Sequence, residues 1–134
     1  MNNTNMAIEH QHPISQFIFD NIPHDIISVM DVDAVWTYYN TPGKPQAFIE
    51  YKNSREKIRP SQWFNFRRWE KEGMMCLVLR LTHDNLMQVE RMSDAYCNNY
   101  VLGIFNEEEI KTIAMDYELL KKLYISKNKN GNTL

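Results

Sequence analysis

A nearly continuous apolar run at residues 74–82 constrains the possible folds more than any other feature of this chain. Apolar side chains at successive positions are typical of a strand buried on both faces, as in the parallel part of a sheet. Residues 60–72 before this run favour a helix of about three turns, and residues 46–53 favour a preceding strand. The order strand, helix, strand predicts an α/β domain whose mixed β-sheet is flanked by helices.

The ends of this helix and the segment before it carry signals of their own. Pro60-Ser61 is typical of a helix N-cap, and Gly73 suits the left-handed residue that follows many helices. Residues 26–39 are rich in Ile, Val, Trp and Tyr, and turn-forming residues occupy positions 40–45. Together with the strand at 46–53, these residues predict a β-hairpin.

The flanking regions favour further helices and strands. Helical spacing of apolar residues at 14–22 predicts a first helix that ends before Pro23. Residues 86–92 and 99–105 favour strands, although the first of these segments also fits the beginning of a helix. A last helix of roughly four turns is predicted from Asn106. Its apolar stripe, interpreted as core rather than as a dimer contact, is Ile110, Ile113, Ala114, Tyr117 and Leu120.

The composition indicates one domain. A chain of 134 residues with 43% apolar residues can bury one ordinary core, which we place at 14–125 between disordered tails at 1–13 and 126–134. The apolar runs are shorter than the roughly 20 residues of a membrane span, and the polar start does not resemble a signal peptide. We therefore expect a cytoplasmic protein without membrane association. Cys76 and Cys97 form no CxxC pair, which favours reduced thiols.

The charge is distributed unevenly along the chain. The net charge is −2, yet residues 52–71 contain seven basic residues and two acidic ones. Such a basic segment is able to bind the phosphates of a nucleic acid, which the net charge alone does not indicate. The basic residues are Lys52, Arg55, Lys57, Arg59, Arg67, Arg68 and Lys71.

The predicted hairpin brings three charged side chains together. If Tyr39 pairs with Gln46, Lys52 lies opposite Asp33, and Glu50 lies opposite Val35. Side chains alternate along a strand, so Glu50 and Lys52 share a face in any register. Asp33 joins them wherever the paired residue numbers add to an odd number. Two carboxylates in this arrangement would be close enough to hold one divalent cation beside the lysine ammonium.

These residues resemble the motif of the PD-(D/E)XK nuclease superfamily. In that superfamily an acid on one hairpin strand is followed on the next strand by (D/E)-x-K, which here is Asp33 in "MDVDAVW" and Glu50-Tyr51-Lys52 in "AFIEYKN". The continuation "RPSQWFNFRRWEKEGMMCLVLRL" is similar to the VRR-NUC and Holliday-junction-resolvase-like branches. In these branches a helix opening with Gln, here Gln62, follows the lysine strand, and Gly73 takes the place of the glycine before the next apolar strand. The resemblance covers residues 25–82.

The resemblance implies a restriction-endonuclease-like core and a Mg²⁺- or Mn²⁺-dependent deoxyribonuclease. Asp33 and Glu50 would bind the metal with the Ile49 carbonyl as a third ligand, and Lys52 would orient the attacking water. Gln62 would contact the scissile phosphate or the lysine. The DNA backbone would be held by Arg55, Lys57, Arg59, Arg67 and Arg68. A single site of this size implies a homodimer for cutting two strands.

Several residue assignments remain open at the level of sequence. Val32 stands where many relatives have proline, so Asp31 is a rival for the metal. The acid that many relatives carry on the first helix has two candidates, Glu9 and Asp20. Glu50 and Lys52 also fit a solvated strand end.

The aromatic residues and the activity each allow a second interpretation. The series Trp63, Phe66 and Trp69 is interpreted as core rather than as a base-stacking surface. The same fold without catalysis would give a nucleic-acid-binding or protein-binding inhibitor, of the kind that viruses and mobile elements encode.

Overall fold

A computed structural model describes residues 15–26, 33–38 and 41–126, with the backbone alone at 25–26, 38 and 41–46. Within these residues three strands follow the first helix, three more follow the second helix, and two helices come last. The helices are α1 (Gln16–Asn21), α2 (Pro60–Lys71), α3 (Glu107–Ala114) and α4 (Tyr117–Ile125). The strands are β1 (His24–Ile26), β2 (Ala34–Tyr38), β3 (Thr41–Lys52), β4 (Met75–Leu81), β5 (Met87–Met92) and β6 (Asn99–Phe105).

The strands form one six-stranded sheet in the order β1-β2-β3-β4-β5-β6. β3 and β4 are parallel and are joined through α2, whereas the other neighbouring pairs are antiparallel. The prediction of an α/β fold with a mixed sheet flanked by helices is therefore confirmed. Helix α2 follows the predicted bounds closely, with Pro60 in its first turn and Gly73 at φ +94° beyond its end. Its N-cap is Arg59 rather than Pro60-Ser61.

Alternation along β3 divides the core between the two faces of the sheet. Ala47, Ile49 and Tyr51 join the larger cluster, to which α1, α3 and α4 contribute Ile18, Ile110 and Leu120. Phe48 packs on the opposite face beneath α2, among Phe66, Trp69, Cys76 and Val78. Glu50 and Lys52 have the same parity as Phe48, so their side chains lie on the face that α2 covers.

The hairpin forms, but its turn was predicted in the wrong place. The pairs Thr37↔Pro45 and Tyr38↔Thr41 show that β3 already begins at Thr41, within the segment predicted as turn. The register shifts on both sides of Thr37, next to the prolines of early β3. Proline cannot donate a ladder hydrogen bond, and bulges accommodate it. Beyond these irregularities Ala34 pairs with Ile49. The register therefore differs by two residues from the predicted one, and the predicted pairing of Lys52 with Asp33 is wrong.

The last helix was also predicted wrongly, as one element instead of two. Helix α3 ends at Ala114, and Asp116 begins α4 by accepting a hydrogen bond from the Leu119 backbone N–H at 3.1 Å. A carboxylate that accepts a backbone N–H in this way favours a non-helical backbone at its own residue, so one helix ends there and another begins. The stripe is nevertheless largely core, since Ile110, Ala114 and Leu120 are at most 2% exposed.

The remaining predictions concern the ends and the cysteines. Both segments after Thr82 are strands, β5 and β6, and α1 ends before Pro23 as predicted. Cys76 and Cys97 are free thiols. The predicted tails at 1–13 and 126–134 lie outside the described residues, except for Ser126, which is the C-cap of α4. In the part of the chain that the structure describes, no helix is both long and apolar enough to cross a membrane.

Candidate functional site

Two carboxyl groups meet where β2 begins and β3 ends. Continuing the register Ala34↔Ile49 by one residue places Asp33 opposite Glu50. Asp33 is fixed there because its Oδ2 accepts the Tyr51 backbone N–H at 2.8 Å. The residue numbers 33 and 50 add to an odd number, as the predicted shared face requires. The register differs from the expected one, but the paired residue numbers still add to an odd number. Asp33 therefore lies on the same face as Glu50 and Lys52, as predicted.

The environment of Glu50 changes its acidity. Glu50 is 6% exposed, and the pKa of its carboxyl is raised to about 8, chiefly by burial. The charge of Asp33 and a hydrogen bond between the two carboxyl groups contribute to this rise, whereas Lys52 and Gln62 oppose it. Two acids that share a proton at neutral pH are a site where a cation would replace that proton.

The ammonium group of Lys52 lies beside this acidic pair. Lys52 is 2% exposed, and its Nζ lies 3.8 Å from Glu50 Oε2 and 3.4 Å from Glu56 Oε2. Glu56 belongs to the loop between β3 and α2, and its side chain is 44% exposed. A lysine buried to this extent requires anionic partners, because an unpaired buried charge is strongly destabilising. The interpretation of Glu50 and Lys52 as a solvated strand end is therefore wrong.

Gln62 connects the first turn of α2 to the acidic pair. Its Nε2 donates to Glu50 Oε2 at 2.6 Å, and its Oε1 accepts the Arg59 backbone N–H at 3.1 Å. Both ends of the amide are thus engaged, which sets the orientation of a side chain that is only 1% exposed. Gln62, which was predicted to contact the scissile phosphate or Lys52, instead donates to Glu50.

The remaining metal-ligand candidates are placed as follows. The Ile49 carbonyl accepts the Asp33 backbone N–H at 3.2 Å, so a metal would have to use the second lone pair of that oxygen. Asp20 is exposed on α1, where it accepts a hydrogen bond from Gln16, and α1 packs on the face opposite to α2. Glu9 and Asp31 lie outside the described residues. Within the described ranges, no three His, Cys, Asp or Glu side chains are grouped closely enough to hold a metal.

The basic residues fall into two groups. Arg55, Lys57 and Arg59 are exposed on the loop that leads from Lys52 to α2. Their loop borders an open depression of about 460 Å³, whose far wall is formed by residues 97–99. Arg67 and Arg68 lie on α2, and Arg67 forms salt bridges with Glu70 at 3.3 Å and Asp94 at 2.6 Å. The loop residues are thus better placed to bind phosphate than Arg67 is.

Sequence analysis missed the residues that brace this loop. Arg80 lies opposite Lys52 in the parallel register, and it donates to the backbone carbonyls of Asn53 and Glu56. Its guanidinium is held by Glu90, with Nε 2.7 Å from Oε2, and Glu90 is 3% exposed. The Glu56 contact with Lys52 follows from this bracing. A spacing of four residues between Lys52 and Glu56 was the one available signal, but it has no meaning outside a helix.

The raised pKa of Glu50 predicts a pH-dependent stability. The unfolded carboxyl titrates near 4.5 and the folded one near 8, so the folded protein binds the extra proton between these values. The stabilisation is complete below the lower value and is lost as the pH rises through the upper one. We expect the free energy of unfolding, measured with chelator by denaturant titration, to fall by roughly 5 kcal/mol over this range, at ~1.4 kcal/mol per pKa unit.

The control variants assign this slope to one residue. Glu50→Gln should flatten most of the decline, whereas Glu108→Gln, at an exposed position of α3, should leave it unchanged. A decline that persists in Glu50→Gln would assign the titration to another group.

Comparison with family models, curated proteins and solved structures found no match for this chain.

Proposed function

We propose that this chain is a metal-dependent endonuclease of the PD-(D/E)XK type that hydrolyses phosphodiester bonds in DNA. The observation that carries the proposal is the pair formed by Asp33 and the buried Glu50, with the Lys52 ammonium 3.8 Å from the glutamate. Asp33 raises the pKa of Glu50, and perturbed pKa values of this kind cluster at functional sites because two carboxylates that meet in a buried environment are costly to keep charged. Mg²⁺ or Mn²⁺ would offset that cost.

The donor set fits a hard divalent cation. Asp33 and Glu50 supply two anionic oxygen donors, and both ions prefer carboxylate, carbonyl and water oxygens. A metal held by few protein ligands keeps room for water and for a phosphate oxygen. When bound, the cation would polarise the phosphate and acidify a water.

Each side chain of the site has a separate role in this mechanism. Asp33 and Glu50, when deprotonated, would hold the cation. Lys52 orients the attacking water and stabilises the charge that develops on the phosphate. Gln62 holds Glu50 in place through its 2.6 Å hydrogen bond, and Glu56 holds the lysine. Arg55, Lys57 and Arg59 bind neighbouring phosphates without reading bases.

The chain order supports the same proposal. The acid precedes β2, the Glu-x-Lys motif ends β3, Gln62 opens the helix that follows, and β4 returns parallel to β3. This is the order in which the resemblance places the acid, the motif, the helix and the next strand. Cutting both strands of a duplex would need a homodimer, because one chain contributes one such site.

The test is a panel of labelled DNA substrates comprising a four-way junction, a flap, a duplex and a single strand. We expect Mg²⁺ or Mn²⁺ to support cleavage of at least one of them, and chelator to prevent it. The Asp33→Asn variant is the matched control for a contaminating nuclease. DNA binding without cleavage of any substrate by either metal would instead support an inactive protein that binds or inhibits.

A further inference from the structure

An exposed aromatic cluster lies on α2 and on the loop between β5 and β6. Phe64 is 57% exposed and Tyr96 is 56% exposed. Their ring centroids lie 5.7 Å apart, and each is 5.2 Å from the ring of the partly buried Trp63. Neighbouring exposed aromatic rings are uncommon on a surface that contacts only water, and they mark binding sites.

The cluster is held rigidly by its surroundings. Trp63 Nε1 donates to the Ser93 carbonyl at 3.2 Å, which ties α2 to the loop that carries Tyr96. Within that loop the Ser93 backbone N–H donates to the Asn98 carbonyl at 2.9 Å, and Ser93 Oγ accepts the Ala95 N–H at 3.1 Å. The two exposed rings therefore lie on a preformed support, and a ligand would not have to order the loop on binding.

The charges around the cluster are complementary to phosphate. Arg68 and Lys71 follow Phe64 by four and seven residues on α2, so they share its helical face, and both are exposed. Asp94, an acid of the loop that carries Tyr96, is paired with Arg67 at 2.6 Å. On the other side, Tyr96 directly precedes residues 97–99, which face Arg55 and Lys57 across the 460 Å³ depression. The aromatic rings are thus flanked by cationic residues on both sides.

We propose that Phe64 and Tyr96 stack on unpaired bases of single-stranded DNA, while Arg55, Lys57, Arg68 and Lys71 bind its phosphates. Exposed aromatic rings that alternate with basic residues are the usual means of binding a single strand without reading its sequence. The depression lies between Cys97, the chain neighbour of Tyr96, and the loop whose Glu56 contacts Lys52, so a strand that extends from Tyr96 into the depression would approach that loop. The inference rests on the proposed nuclease function only in its choice of DNA as the partner, and it assigns a substrate with unpaired nucleotides.

The test compares two oligonucleotides of equal charge, an oligothymidine and an abasic strand of the same length. Binding is measured in Ca²⁺ by fluorescence anisotropy, with Trp63 fluorescence as a second signal. We expect the protein to prefer the strand with bases, and Phe64→Ala or Tyr96→Ala to lower its affinity for that strand about 5- to 100-fold. The abasic strand should bind all of these proteins equally, and the salt dependence should not change. Phe64→Trp keeps an aromatic ring at this position, so it should bind the strand with bases as tightly as the wild type does.

Ile125→Ala is the matched control, because Ile125 is 54% exposed on α4 and belongs neither to the aromatic cluster nor to the basic loop. Equal affinity for the two strands, or unchanged affinity in both Phe64→Ala and Tyr96→Ala, would overturn the inference. The cleavage panel distinguishes this failure from failure of the proposed function. Cleavage without base-dependent binding would support the proposed nuclease function and contradict the stacking surface. Base-dependent binding without cleavage would support the stacking surface and contradict the nuclease function.

Discussion

Replacing Lys52 by alanine is expected to lower the single-turnover rate of DNA cleavage by at least about 100-fold while leaving most of the DNA affinity intact. Lys52 is 2% exposed and lies beside the acidic pair, whereas the phosphate-binding residues are on the exposed loop. The rate is measured at saturating DNA with Mg²⁺. Affinity is measured in Ca²⁺, which supports binding in many such sites without turnover.

Lys52→Met is the companion variant, because it retains the buried methylene groups and removes only the charge. Loss of activity in both variants, with a native unfolding transition, would assign the effect to the ammonium group. Arg55→Ala and Lys57→Ala should show the opposite pattern, with weaker binding and little loss of rate at saturation. Each should reduce the salt slope of binding to duplex DNA by about 0.9. A Lys52→Met protein that cleaves at the normal rate would exclude the lysine from the mechanism.

Removing either carboxylate of the acidic pair is expected to abolish binding of Mg²⁺ or Mn²⁺, measured by isothermal titration calorimetry. With one anionic ligand left, the site has too few hard oxygen donors. Asp33→Asn is preferable to alanine at this position, because the amide oxygen still accepts the Tyr51 N–H that Asp33 accepts at 2.8 Å. Asp31→Ala tests the rival of Asp33, and Asp20→Ala and Glu9→Ala test the two candidates for an acid on the first helix. All three variants should bind the metal normally.

Stability provides an independent readout of the same pair. Asp33→Asn removes a charge that raises the pKa of Glu50, so the carboxyl of Glu50 should ionise in the folded variant at a smaller cost. With chelator present, the variant should therefore be more stable than the wild type at pH values near the folded pKa of about 8. Normal metal binding in both Asp33→Asn and Glu50→Gln would eliminate the proposed site. Loss of binding together with loss of the folded state would instead indicate that the pair acts in folding.

Local signals were sufficient for most of the secondary structure and for part of the site. The apolar run of β4, the turn residues around α2 and Gly73 act within a few residues, so they can be interpreted without knowing the fold. The shared face of Asp33, Glu50 and Lys52 required only strand alternation and an odd register. The position of Gln62 followed from the resemblance, and its contact with Glu50 agrees with that placement.

Contacts between distant segments could not be predicted in this way. The register of β2 with β3 depended on irregularities next to Thr37 that move the turn. The break between α3 and α4 depended on the capping side chain of Asp116, whose preference for a cap was outweighed in the prediction by the helical spacing of the apolar residues on both sides of it. The exposure of Phe64 could not be predicted either, because it depends on which face of α2 packs on the sheet.

The sequence by itself determined which residues alternate, where the central helix begins and ends, and that Glu50 and Lys52 share one face. These features are set by backbone geometry over a few residues. The tertiary structure alone decided that Glu50 and Lys52 are buried, that Arg80 braces the loop carrying Glu56, and that Phe64 meets Tyr96. Burial and pairing depend on which distant segments pack together, and the low dielectric of that packing changes the acidity of Glu50.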